Sequence, residues 1–193
     1  MVRITVLSQY LFDEKMRDLE LDDSNVSNVT DMAFVSIIGT RECLEYYLDE
    51  GNTKHYFNNE HDNVLNLDFD DLSEDVLYNG HLFKTMTMGQ AEKSVDFIEK
   101  MIGNTNIQFY IHCRAGYSRS RAFGEWIYRL CLEKGIEVEY LDRNDYTTML
   151  NQGVLRRLNH AYWKKHKENG YDVDGTDYPQ DLINSTPRVI DRE

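Results

Sequence analysis

The sequence predicts one α/β domain, with a central, mostly parallel sheet of about four or five strands flanked by helices. Three observations point there. Short apolar runs of strand length alternate with longer segments whose apolar residues recur at helical spacing, the pattern of successive βα units. The only prolines are Pro179 and Pro187, so none punctuates the body of the chain. The chain has 193 residues, 41% of them hydrophobic and 12% aromatic, enough for one core without metal or disulfide staples.

Residues 4–7 (Ile-Thr-Val-Leu) are the first strand-like run, and residues 33–38 (Ala-Phe-Val-Ser-Ile-Ile) the second. Residues 40–50 carry Leu44, Tyr47 and Leu48 on one side of a helix. Residues 64–69 (Val-Leu-Asn-Leu-Asp-Phe) alternate as a strand. Residues 89–102 place Ala91, Val95, Ile98 and Ile102 at helical spacing, and residues 107–111 (Ile-Gln-Phe-Tyr-Ile) return to a strand. A helix over 118–134 carries Ala122, Trp126, Ile127, Leu130 and Cys131, with Gly135 placed to cap its C-terminus. Trp126 and Tyr128 read as core. The last helix, 152–167, carries Val154, Leu155, Leu158, Ala161 and Tyr162. The domain is therefore expected over residues 1–168. Residues 169–193 are polar and acidic and read as an extended or partly mobile tail. Asp172-Val-Asp-Gly-Thr-Asp177 has the look of a calcium loop, but its glycine sits at the wrong offset and no glutamate follows, so calcium binding is not expected.

The formal net charge is −13 and the sequence pI about 4.8, which disfavours nucleic acid and anionic lipid as partners. Any phosphate site must make its positive potential locally. Basic residues gather at Arg114, Arg119 and Arg121, and again at Arg156, Arg157, Lys164, Lys165 and Lys167, where a solvated helix face is the plain reading. No apolar run reaches the length of a membrane span. Met1–Ser8 is too short and too soon followed by polar residues to read as a signal peptide, so a cytoplasmic protein is expected. The three cysteines, Cys43, Cys113 and Cys131, suit neither a disulfide framework nor a zinc site. Cys43 and Cys131 read as buried thiols.

Cys113 has a different setting. A strand over 107–111 leads into His112-Cys113-Arg114-Ala115-Gly116-Tyr117-Ser118-Arg119-Ser120 and then a helix. The start of a helix leaves backbone N–H groups unpaired and carries about half a positive charge. A loop curled over that end makes a cradle of anion size, and Gly116 lets the backbone bend and approach a ligand. A cysteine on its floor is held as thiolate by the helix, the N–H groups and Arg119. Arg119 returns over the bound group with a planar fork suited to two phosphoryl oxygens. Ser120 is placed to hydrogen-bond the sulfur.

The run His-Cys-x-Ala-Gly-x-Ser-Arg-Ser resembles the signature loop of the protein tyrosine phosphatase superfamily, most closely its dual-specificity branch. The resemblance covers about residues 1–165, weakly outside the loop, at residues 64–71 and 151–158. It implies a cysteine-phosphatase-like fold and a phosphomonoesterase working through a cysteinyl-phosphate, with no cofactor and no metal. Cys113 would be the nucleophile, Arg119 the phosphate-binding residue, and Ser120 and His112 supporting residues. Arg114, Ala115, Gly116, Tyr117 and Ser118 would line the substrate. The resemblance also implies an aspartate as general acid. Asp68, Asp70, Asp71 and Asp75 lie in the right region. Asp71 is the first choice, with Asp70 and Asp75 alternatives, since the Trp-Pro-Asp loop of larger relatives is absent. A phosphorylated protein or peptide is the expected substrate, because Arg114 has only Tyr117 across from it rather than a second basic residue. Phosphate, sulfate or vanadate would also occupy the loop. A catalytically inactive phosphopeptide-binding module, a phosphatase of phosphoinositides or RNA 5′ ends, and a rhodanese-like sulfurtransferase are the competing readings.

Overall fold

The computed structural model describes residues 1–41, 43, 54–104, 106–141, 149–167 and 188–190. In chain order the elements are β1 (Val2–Ser8), α1 (Gln9–Asp18), β2 (Met32–Ile38), β3 (Val64–Asp68), β4 (Val76–Tyr78), β5 (His81–Phe83), α2 (Met88–Ile102), β6 (Gln108–Cys113), α3 (Arg119–Glu133), β7 (Val138–Leu141), α4 (Gln152–Lys167) and β8 (Arg188–Ile190). The expected α/β architecture is present. Five parallel strands pair in the order β3-β2-β6-β1-β7, and helices cover the sheet. Of the predicted helix over 40–50, Thr40 is described but not helical, Arg41 and Cys43 are helical, and residues 42 and 44–50 lie outside the described residues.

The pleat sorts the strand residues between two cores. Val2, Ile4, Ala33, Val35, Ile37, Leu65, Leu67, Phe109 and Ile111 face α2, α3 and α4, whose inward residues Val95, Ile98, Phe123, Ile127, Leu155 and Leu158 complete the larger core. Their neighbours Phe34, Val64 and Tyr110 face the other way, joining Phe12 and Met16 of α1, Val26 and Phe57. Being sandwiched on both faces explains why β2 is apolar almost end to end. Each Val, Leu, Ile or Phe buried this way contributes about 1.5–3 kcal/mol.

Local chemistry sets the helix ends. Thr87 and Gln90 form a reciprocal capping box at the start of α2. Gly135, at φ +66°, ends α3. Its N–H reaches the Leu132 carbonyl and the Ile136 N–H reaches that of Cys131. The basic residues of α4 are not simply solvated. Lys164 pairs with Glu92, and Lys165 with Asp96 and Glu99, tying α4 to α2.

Several elements go beyond the sequence expectation. α1 follows β1 at once, capped by Ser8, whose hydroxyl accepts the Leu11 N–H. β7 adds an edge beside β1. β4 and β5 form a hairpin around Asn79-Gly80, both at positive φ, and β8 pairs parallel with β4. That strand is the described part of the acidic tail; residues 168–187 and 191–193, with the rejected calcium-like run, lie outside the described residues. Among the described residues no helix is long and apolar enough to cross a membrane.

Candidate active site

β6 lies between β1 and β2, where the chain's progress across the sheet reverses, and ligands of open α/β sheets bind at the carboxyl ends of strands at such a point. The structure puts the cysteine loop there. Cys113 is the last residue of β6, paired in register with Ser8; residues 114–118 form the loop, and α3 begins at Arg119. Gly116 has φ +76°, and a Cβ on it would stand 2.7 Å from the Leu7 carbonyl carbon and the Ser8 nitrogen. Only glycine fits both demands, so the loop lies directly on the end of β1. The Gln9 N–H donates to the Arg114 carbonyl at 3.2 Å and closes the other side.

The three thiols are in contrasting environments. Burial, reinforced by Asp70, pushes Cys43 up to about 12. Burial pushes Cys131 up to about 11. Cys113 is only 2% exposed, and burial alone would raise it too. The Arg119 charge, the Ser120 hydroxyl and the backbone N–H groups of Ser120 and Gly116 together outweigh burial and bring the thiol below its ordinary value. The sulfur stands 3.1 Å from the Ser120 hydroxyl. All three cysteines are free thiols.

Arg119 is 6% exposed, and its Nη1 donates to the Phe69 carbonyl at 2.6 Å. Its Nε is buried without a partner among the described residues. An unmatched buried donor costs about 1–3 kcal/mol, which an oxyanion acceptor would recover.

The four candidate aspartates separate cleanly. Asp70 is 2% exposed, and its carboxylate accepts the Thr40 N–H at 2.9 Å, the Thr40 hydroxyl at 2.7 Å and the Lys84 N–H at 2.8 Å. It knits β2's exit to the strand that returns from the hairpin. Asp75 accepts the Thr85 N–H at 2.8 Å, at the other end of that tie. Asp68 is exposed and faces His55. Asp71 alone reaches the cysteine loop. Its Oδ1 accepts the Ser118 hydroxyl at 2.6 Å and the Asn151 amide at 2.8 Å.

His112 is fully buried, with its ring 4.2 Å from that of Phe12, and neither ring nitrogen has a partner among the described residues. Burial, then the charges of His55 and Arg119, push it down to about 3 against a smaller opposing pull from the Cys113 backbone, so the ring is neutral. Arg114 and Ala115 are exposed at the rim. Tyr117 is 53% exposed, with the Arg121 guanidinium 5.5 Å from its ring centre, and the Arg121 Nε donates to the Gly116 carbonyl. The sequence reading left out Asn151 and Thr40. Neither carries a local signal, since each acts on an aspartate more than 25 positions away.

No protein-family model matches the chain, and comparison with curated proteins finds no match.

Proposed function

We propose that this protein is a cysteine-dependent phosphomonoesterase acting on phosphorylated protein or peptide. The observation that carries the reading is the Cys113 environment: of three thiols only this one is lowered, by an arginine, a serine hydroxyl and two backbone N–H groups that converge on it. In the first step the Cys113 thiolate attacks phosphorus as the ester P–O bond breaks. Arg119 and the loop N–H groups hold the equatorial oxygens, and protonated Asp71 gives its proton to the departing oxygen. In the second step water attacks the cysteinyl-phosphate and gives a proton to Asp71. The S–P bond breaks, and the Ser120 hydroxyl donates to the returning thiolate. Tyr117 and Arg114 at the rim suit a peptide substrate, while the net charge of −13 opposes approach to anionic membranes or nucleic acid.

The test is turnover of phosphotyrosine, phosphoserine and phosphothreonine peptides by the purified protein, with phosphoinositide and 5′-phosphorylated RNA arms and Cys113→Ser as blank. Hydrolysis of a phosphopeptide, lost in Cys113→Ser, is expected. Preferred turnover of a phosphoinositide or RNA end would move the substrate class. Tight binding without turnover would make the protein a phosphopeptide-binding module.

A further inference from the structure

The start of α4 carries an arrangement that the reaction scheme above does not use. Asn151, 8% exposed, stands just before the helix. Its Oδ1 accepts the Val154 N–H at 3.0 Å, the ordinary work of a helix N-cap. Its amide nitrogen does something a cap does not require: it donates to Asp71 Oδ1 at 2.8 Å and to the Leu72 carbonyl at 3.2 Å. The Asn151 backbone N–H meets the Ser118 carbonyl at 3.4 Å, and the Ser118 hydroxyl shares Asp71 Oδ1. Two neighbours bring the helix this close. A Cβ on Gly153 would stand 3.0 Å from the Ser73 Cα, and Arg157 donates to the Ser73 carbonyl at 3.3 Å. The acid loop, the cysteine loop and α4 therefore meet at one side chain.

We propose that Asn151 is the positioning residue for the general acid, a role that rests on the phosphatase reading. Both donors, Ser118 and Asn151, sit on Asp71 Oδ1. With both donors on Oδ1, a proton carried by Asp71 in the reaction has its place on Oδ2, the oxygen that neither donor occupies. Asn151 thus selects which oxygen carries the proton and holds it toward the leaving group above Cys113. Misplacing such a group by about 1 Å costs up to about 100-fold.

The experiment pairs Asn151→Ser and Asn151→Asp with Asp71→Asn, singly and doubly, and follows each on phenyl phosphate and p-nitrophenyl phosphate. Serine and aspartate keep an oxygen for the Val154 N–H but lose the amide donors, and thermal unfolding reports whether the cap survives. Each Asn151 variant is expected to lose about tenfold more on phenyl phosphate than on p-nitrophenyl phosphate, since only the poorer leaving group needs the proton. In the Asp71→Asn background, adding Asn151→Ser is expected to change the phenyl phosphate rate by less than about twofold. Equal losses on both substrates, or losses that multiply with Asp71→Asn, would reduce Asn151 to a helix cap and overturn the proposal while leaving the phosphatase reading intact. Wild-type protein that turns over neither substrate faster than Cys113→Ser would overturn both. If one Asn151 variant fails to fold, the other carries the same comparison.

Discussion

Gly116→Ala probes whether the close contact between the cysteine loop and β1 is what keeps the Cys113 thiol below its ordinary value. Alanine at φ +76° costs about 1–2 kcal/mol from backbone sterics alone. Its Cβ would also meet backbone atoms of Leu7 and Ser8 at 2.7 Å, closer than any real contact. β1 cannot yield, because it is paired on both edges, to β6 and to β7. The loop must lift instead, taking the Gly116 and Ser120 N–H groups off the sulfur while burial of the thiol persists. The total destabilisation should reach about 2–4 kcal/mol, and the Cys113 thiol should titrate at higher pH than in the wild type. The assay is alkylation of Cys113 by iodoacetamide from pH 5 to 10, followed by peptide mass spectrometry, beside thermal unfolding. Gly80→Ala is the control. Its φ is +79° but nothing lies within 4 Å of the added Cβ, so it carries the strain without the collision, in a hairpin away from the thiol. It should cost about 1–2 kcal/mol and leave the Cys113 titration where it was. If the two variants match in both stability and titration, the contact with β1 is not what lowers the Cys113 thiol.

Other consequences follow from the same geometry. Arg119→Lys keeps a charge but loses the fork and the bond to the Phe69 carbonyl, so phosphopeptide turnover should fall about 10²–10³-fold with the fold retained; activity within a few-fold of wild type would remove Arg119 from the mechanism. Asp71→Asn should slow a phosphotyrosine peptide by about 10²–10⁴-fold and p-nitrophenyl phosphate far less. Asp70→Asn should instead lower thermal stability by about 1–3 kcal/mol, because an amide N–H₂ would face one of the three donors that Asp70 now accepts, and its rate loss should be equal on both substrates. If Asp70→Asn showed the leaving-group dependence and Asp71→Asn did not, the two roles would be exchanged. His112 binds no proton in the folded state until about pH 3, whereas the unfolded chain protonates it below its usual value near 6.5. Folding stability should therefore fall with decreasing pH through that window, by up to about 1.4 kcal/mol per pH unit from this residue. Urea unfolding of His112→Phe should show a correspondingly shallower acid loss, and an unchanged loss would place the proton elsewhere.

Strands β1, β2, β3 and β6, the three helices on the larger core and the loop at residues 112–120 were legible because their signals are local. Val95, Ile98 and Ile102 repeat at the helical period, β2 is apolar from Ala33 to Ile38 except at Ser36, and the cysteine-to-arginine spacing is set by one short stretch of chain. α1 was not legible, because only Phe12 and Met16 of its apolar residues turn inward while Tyr10 and Leu11 face solvent, which blurs the period. β7 is four residues long with alternate residues exposed, and its strand state comes from the open edge of β1. The hairpin did have a local signal, in Asn79-Gly80 between short apolar runs.

The candidate acid is where the sequence left most to the tertiary structure. Asp68, Asp70, Asp71 and Asp75 are alike in sequence, and nothing local says which one meets Ser118. That depends on Thr40, Lys84 and Asn151, brought together by the crossing of β2, the hairpin and α4. The Cys113 thiol is similar. Its neighbours are encoded within eight residues, yet burial and charge push its titration in opposite directions, and the Gly116 and Ser120 N–H groups that oppose burial are positioned only in the folded loop. A sequence names the groups in a site. The sign of a competition between desolvation and hydrogen bonding is set by distances of a few tenths of an ångström, and only the packed chain determines those.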